Sequence, residues 1–257
     1  MSVRVFKNEN SRLNLVFIAG GPGLSSISFN KLMPLQDKFS LYFIDPMGTT
    51  SALGEIPNYS NLLNEIKNSI KDLDNVILCG HSFGGIQAID IASESRSNIK
   101  GLIVIGTPVS EDAFSILGKN FDEGITKEQN LITDKLENEP TDEIYKQWFY
   151  SYRDFYFNPE KSDQLISVIM DDSVCVKSYS EAIEESSAKQ DKILKLKKIK
   201  IPKLFIAGDL DKVMPPKSAQ HESELGGFKL EVIEGAGHFI HYECPEKTIQ
   251  VINNFLS

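Results

Sequence analysis

A hydroxyl, a carboxylate and an imidazole stand in this 257-residue chain where their neighbours would let them act together. The hydroxyl belongs to Ser82, inside Gly80-His81-Ser82-Phe83-Gly84. The pattern Gly-x-Ser-x-Gly, with an apolar run before it and helical periodicity after it, fits a strained turn from strand to helix. In such a turn the residues two positions either side of the serine nearly touch, and Gly80 and Gly84 supply the missing side chains. Ser82 Oγ would then project over a sheet edge. The start of the next helix and the Phe83 N–H would face any charge developing on a substrate oxygen. That is the equipment for nucleophilic attack on a carbonyl. The plainer alternative is a glycine-rich turn with a capping serine.

A serine hydroxyl needs a base, and the base needs an orienting carboxylate. His81 adjoins the serine, but the turn directs it away from that hydroxyl. His221 lies in the helical stretch Pro216–Glu224 and reads as a surface residue. His238 follows the strand-like Leu230–Ile233 and the pliant Gly235-Ala236-Gly237, which can carry an imidazole over the sheet edge; His241 comes three residues later. The apolar run that begins at Phe205 ends in two carboxylates, Asp209 and Asp211, beyond a strand's carboxyl end, where open α/β sheets place their sites. His238, His241 and Cys244 are spaced by threes, but no helix is expected across them before Pro245, so no metal is expected.

A further loop, Gly20-Gly21-Pro22-Gly23, follows the apolar run Leu13–Ala19 and precedes helical sequence from about Ser26. Its glycines permit a close backbone approach that leaves an N–H for an oxyanion, beside that of Phe83. A dinucleotide fingerprint fails here, because Ser26 falls where Gly-x-Gly-x-x-Gly needs its third glycine. No phosphate-binding Gly-Lys-Ser/Thr occurs, and no cofactor is expected.

The elements that must position these groups are legible as short apolar runs at Leu13–Ala19, Leu41–Ile44, Val76–Cys79, Leu102–Ile105 and Leu204–Ala207. They do not alternate polar with apolar, as befits parallel strands covered on both faces. Between them, Tyr59–Leu73 places Leu62, Leu63, Ile66, Ile70 and Leu73 on one helical face. Ile86, Ala88, Ile89 and Ala92 do the same after Ser82. Strand–helix alternation predicts an α/β fold with a mostly parallel sheet, right-handed crossovers and helices on both faces. The alternation stops after Pro108. Some 80 residues of helical, acidic, aromatic sequence follow, too long for a loop and fitting an inserted helical cap. The expected division is 1–108 with 191–257 as core and 109–190 as cap. Seven aromatics fall in ten residues: Trp148, Phe149, Tyr150, Tyr152, Phe155, Tyr156 and Phe157. They either pack the cap onto the core or line an apolar substrate pocket, with Trp148, Tyr152 and Phe155 the candidates for the pocket.

On these motifs the chain resembles the α/β-hydrolase superfamily over nearly its whole length, and within it the proline iminopeptidase-like branch. The resemblance implies an α/β-hydrolase fold with the chain order Ser82, Asp211, His238 for nucleophile, acid and base. It prefers Asp211 to Asp209, because Gly208-Asp209-Leu210-Asp211 matches the family's Gly-x-x-Asp. It makes the Gly21 N–H an oxyanion donor beside Phe83. Ala19 stands where the branch has a loop histidine, and Asp45-Pro46-Met47-Gly48 where it has Asp-Gln-Arg-Gly. The implied activity is a serine hydrolase acting on a small ester, amide or peptide-like substrate. A proline iminopeptidase-type aminopeptidase and a hydrolase-fold ligand receptor with vestigial turnover remain the alternatives.

The charge balance narrows the partners. Thirty-six acidic against 27 basic residues leave a net charge of −9, which opposes binding to nucleic acid or anionic membrane. No apolar run approaches the roughly 20 residues of a membrane span. Three widely spaced cysteines and an amino terminus without an apolar signal core fit a reduced, cytoplasmic protein. Residues 109–190 hold 18 acids and 8 bases, so the acidity belongs to the expected cap. Most of it should be solvated surface; Asp171, Asp172, Glu184 and Glu185 are candidates to anchor a substrate ammonium.

Overall fold

The unalternating apolar runs are strands of one sheet, and the reason lies in what covers its faces. Val16, Ile18, Leu78, Val104 and Phe205 point to one side, and Leu15, Phe17, Cys79, Ile103 and Leu204 to the other; each set is buried in its own core cluster. The computed structural model describes residues 2–49, 57–186 and 190–257, with 182–186, 190 and 191 described by backbone only.

The strands are β1 (Ser2–Phe6), β2 (Asn14–Ile18), β3 (Ser40–Asp45), β4 (Val76–His81), β5 (Ile99–Ile105), β6 (Lys203–Gly208) and β7 (Lys229–Ile233). They form one seven-stranded sheet in the order β1-β3-β2-β4-β5-β6-β7. All neighbours are parallel except β1, which runs antiparallel to β3. The edge strand β1 is an addition to what the apolar runs predicted. Its SVRVF carries no continuous apolar run, and Arg4 leaves it to donate to Ser26 Oγ at 2.8 Å and to approach Asp45 at 3.6 Å.

The helix α1 (Tyr59–Ile70) buries Tyr59, Leu62, Ile66 and Ile70. The helix α2 (Phe83–Ser93) follows β4 directly and is buried along nearly its whole length. Each fully buried isoleucine, such as Ile89 or Ile91, contributes about 1.5–3 kcal/mol. The opposite face of the sheet is covered by a 3-10 helix (Ser26–Asp37), which inserts Phe29, Leu32 and Leu35.

Between β5 and β6 the helical insertion carries α3 (Glu111–Asp122), α4 (Lys127–Asn138), α5 (Asp142–Ser151), α6 (Arg153–Tyr156), α7 (Ser162–Leu165), α8 (Ser167–Met170), α9 (Val176–Ser186) and α10 (Gln190–Leu196). Its two ends rejoin the core. Ala113 of α3 and Ile193 and Leu196 of α10 lie in the same buried cluster as α2. The chain closes with α11 (Pro216–Gly226), α12 (Ile240–Glu243) and α13 (Pro245–Leu256). Among the described residues no helix is long and apolar enough to cross a membrane.

The sharpest packing demand sits at the β4–α2 turn. A Cβ on Gly84 would lie 2.3 Å from the carbonyl oxygens of Ile18 and Ala19, whereas one on Gly118, in the exposed helix α3, would meet nothing within 4 Å. Gly84→Ala is therefore expected to cost at least about 3 kcal/mol or to prevent folding. Gly118→Ala should stabilise by about 0.5–1 kcal/mol through helix propensity. Urea denaturation midpoints of the two variants check both signs.

Candidate active site

Ser82 occupies the turn with φ 51° and ψ −120°, a left-handed backbone that a residue with a side chain adopts only under constraint. The constraint is visible. The Ser82 N–H donates to Ile105 O at 2.9 Å, and Ser82 O accepts from the Gly85 N–H at 2.9 Å. A Cβ on Gly80 would lie 2.4 Å from Gly84 O, so the strand and helix arms are as close as backbones allow. Ser82 itself is half-buried, and its Oγ makes no hydrogen bond among the described residues.

One strand over, Gly106 at the end of β5 brings in the acid and the imidazole. A Cβ there would be 3.1 Å from both Asp211 Oδ2 and His238 Nδ1. Asp211 and His238 are buried and joined through those same atoms at 3.0 Å. The other carboxylate oxygen, Oδ1, accepts the N–H groups of Val213 at 2.8 Å and Met214 at 2.9 Å. A carboxylate so held accepts a hydrogen bond from Nδ1–H, which leaves the lone pair of His238 on Nε2. Asp209 serves the loop instead, where its Oδ1 accepts from Gly235 N and Ala236 N and so fixes the approach to His238. Of the two carboxylates, Asp211 is the one that meets the imidazole.

The glycine loop lies beside the serine. A Cβ on Gly20 would come within 3.2 Å of Ser82 Cβ. Gly21, at φ 114°, takes a conformation that suits glycine. The N–H groups of Gly21 and Phe83 have no acceptor among the described residues; for Phe83 this is the normal state of a helix's first residue. The insertion clamps this loop. Tyr145 Oη donates to Pro22 O at 2.8 Å, Cys175 N donates to Gly23 O at 2.8 Å, and Asp172 accepts from both the N–H and the hydroxyl of Ser25. Burial raises the Asp172 carboxyl against the lowering effect of Ser25. Asp172, a candidate for a substrate ammonium, is thus committed to the loop. Asp171 is exposed, and the side chains of Glu184 and Glu185 lie outside the described residues.

A second strap holds His238, and nothing in the motifs announced it. His238 N donates to Tyr156 O at 2.7 Å, Asn158 Nδ2 to Gly235 O at 3.1 Å, and Asn158 N to Glu243 Oε2 at 2.8 Å. Burial raises the Glu243 carboxyl, opposed by the N–H groups of Asn158 and Gly237. From below, the His81 Nε2–H donates to His238 O at 3.0 Å. The expectation that His81 turns away from the serine is met in this form: its ring lies among His238, Phe239 and His241. His241 Nε2 stands 2.9 Å from Ser28 Oγ. His221 is exposed on α11.

The aromatic run divides. Phe149 packs inside the insertion in one cluster with Ile166 and Ile169, Phe157 stacks on Phe239 beyond β7, and Tyr152 and Phe155 are buried against Val213 and Phe121. Tyr150 is exposed, with Arg153 over its ring. Trp148 is half-buried and its Nε1 donates to Thr133 Oγ1. Tyr156 alone of the seven contacts the His238 ring, with centroids 5.8 Å apart. The pocket candidates Trp148, Tyr152 and Phe155 stand around it, and Tyr156 itself was indistinguishable from its neighbours by residue type.

A family model described as the alpha/beta hydrolase family matches residues 15–251. Among curated proteins, the chain is similar to a monoglyceride lipase of Homo sapiens, at 26% identity over 97% of this chain and 83% of that protein. It is also similar to a proline iminopeptidase of Saccharolobus solfataricus, at 23% identity over 98% and 87%. Among solved structures, a thermophilic esterase from Thermogutta terrifontis superposes with a TM-score of 0.75 at 19% identity, covering 99% of this chain and 92% of that one.

The buried imidazoles give this region a pH signature. Burial, with the charge effects of its neighbours, lowers the His241 pKa from 6.5 to about 3, and burial also holds His81 well below its ordinary value. The unfolded chain binds these protons near pH 6.5 and the folded one does not. Their stabilising effect is therefore full above pH 6.5 and is lost as the pH falls toward 3. Between pH 6 and 4, the unfolding free energy of His241→Gln should fall less steeply than that of the wild type, by up to about 1.4 kcal/mol per pH unit. Denaturant titrations at a series of pH values measure the two slopes.

Proposed function

From the premise that the chain belongs to the alpha/beta hydrolase family, we propose that it is a serine hydrolase that cleaves a small ester, amide or peptide-like substrate through an acyl-enzyme. The observation that carries the reading is the buried 3.0 Å contact of Asp211 with His238, at the same sheet edge as the strained Ser82. Ser82 Oγ attacks the carbonyl carbon as His238 Nε2 takes its proton, and the carbonyl electrons move onto oxygen. The N–H groups of Gly21 and Phe83 stabilise that oxyanion. His238 then returns the proton to the leaving alcohol or amine, and the acyl group stays on Ser82. Water, deprotonated by the same imidazole, releases the acid. Asp211 fixes the tautomer and offsets the imidazolium charge. A positioned base of this kind contributes a factor of about 10²–10⁴ in rate, and an oxyanion donor a similar one.

In this reading residues 109–190 act as a cap over Ser82, with Trp148, Tyr152 and Phe155 in the aromatic wall of the pocket. The glycine loop and the likeness to proline iminopeptidases favour an aminopeptidase as the second reading. It lacks a ready ammonium anchor in Asp172, whose carboxylate is engaged by Ser25. A hydrolase-fold ligand receptor would need no acid behind the imidazole.

A fluorophosphonate probe should label the wild type and leave Ser82→Ala unlabelled; equal labelling of the two overturns the mechanism. Asp211→Asn, with an unchanged circular dichroism spectrum, should lose at least about a hundredfold in kcat. A panel of p-nitrophenyl esters beside prolyl and other aminoacyl naphthylamides ranks esterase against aminopeptidase, and prolyl amides cleaved faster than every ester would put the aminopeptidase first.

A further inference from the structure

The insertion holds five tyrosines, three of them in the aromatic run, and their hydroxyls differ in what they meet. Tyr145 donates to Pro22 O, and Tyr152 Oη lies 3.2 Å from Thr133 Oγ1; Tyr150 is exposed beneath Arg153. The hydroxyls of Tyr156 and Tyr179 have no hydrogen-bond partner among the described residues, yet both oxygens keep some exposure. Both residues are half-buried. The Tyr156 ring is crowded on several sides by Phe149 at 5.1 Å, Phe155 at 5.7 Å, His238 at 5.8 Å and Trp148 at 5.9 Å between centroids. A hydroxyl without a partner on a ring so enclosed is a donor that a bound ligand can take up. The depth is also felt chemically. Burial raises the Tyr156 phenol well above its ordinary range, with Tyr179 the largest charge influence on it and Asp211 a further one, so both tyrosines stay protonated donors at neutral pH.

We propose that Tyr156, seconded by Tyr179, determines specificity by donating a hydrogen bond to an oxygen or nitrogen in the leaving group of the substrate. The side is set by His238. The imidazole must reach the departing oxygen or nitrogen to protonate it, so a ring resting on that imidazole borders the leaving group and not the acyl chain. The backbone enforces the placement, because Tyr156 O is the acceptor of the His238 N–H. The preferred substrate class is an ester or amide whose alcohol or amine part carries a second hydrogen-bond acceptor. A purely alkyl leaving group would leave the hydroxyl of Tyr156 desolvated and unpaired, which is the usual basis of rejection by a polar site.

The inference rests on the hydrolase reading above, and the experiment separates the two. The substrates are 2-methoxyethyl butanoate and n-butyl butanoate, which differ by one oxygen in place of a methylene, with released acid followed by titration. Wild type should favour the methoxyethyl ester. In Tyr156→Phe the ratio of the two kcat/KM values should fall by about three- to tenfold, the worth of one neutral hydrogen bond, and Tyr179→Phe should lower it less. A merely packing role would change both rates by a common factor. An unchanged ratio, or a wild type that takes up the fluorophosphonate probe but does not turn over the methoxyethyl ester, overturns this inference while the hydrolase reading stands. A wild type that does not take up the probe ends both.

Discussion

The structure depends on how closely backbone can approach backbone around residues 80–85. Gly80 faces Gly84 O and Gly85, Gly84 faces Ile18 O and Ala19 O, and Gly85 faces the side chain of Thr107. Three strand ends meet the start of α2 within van der Waals limits, which is possible only because no Cβ intervenes. The left-handed Ser82 is the outcome of that compression. The strain, on the order of 1–3 kcal/mol for such a residue, is carried by the burial of α2, whose isoleucines lie against both β4 and β5. Neighbouring loops inherit their positions from the same contact, since Gly20 and Gly106 flank the turn and touch His81, Asp211 and His238 in turn.

Charge is treated differently in core and insertion. Every acid of the insertion whose side chain is described is exposed except Asp172, and water screens these charges. Three buried or half-buried carboxylates hold backbone in place: Asp172 the start of the 3-10 helix, Glu222 the Ser110 N–H where the chain enters the insertion, and Glu243 the Asn158 N–H. A buried carboxylate is costly unless hydrogen-bonded, and each of these sits where a loop would otherwise leave N–H groups unpaired. The acidity of the chain therefore has two meanings, solubility outside and loop geometry inside.

How much was legible in the sequence follows from the range of each interaction. The turn at Ser82, the strands around it and the presence of a helical insertion after β5 are local patterns of glycine, periodicity and apolar runs, and they read directly. Asp209 and Asp211 were not separable from spacing alone; the family resemblance separated them, and the structure explains why, since one faces the loop and the other the ring. The edge strand β1 escaped because its stability comes from β3, some forty residues away, and from Arg4, not from its own residues. Tyr156 escaped for a related reason. Seven aromatics in ten residues share one chemistry, and only the fold decides which of them meets an imidazole 82 positions later. Glu243 carried no signal at all, being one acid among many until Asn158 is brought to it.

The bonds between the segment 156–158 and the loop 235–238 bear on how such a protein diversifies. An inserted segment that only rested on the sheet could be exchanged without touching the loops of the core. Here the insertion's main chain supplies the acceptor for the His238 N–H and a donor to Glu243, so the insertion owns part of the frame on which the imidazole rests. Exchanging residues 109–190 for a foreign segment removes that frame. Drift in the insertion and precision at His238 are inherited jointly, which favours new specificities by side-chain replacement within the existing helices over recombination of whole segments.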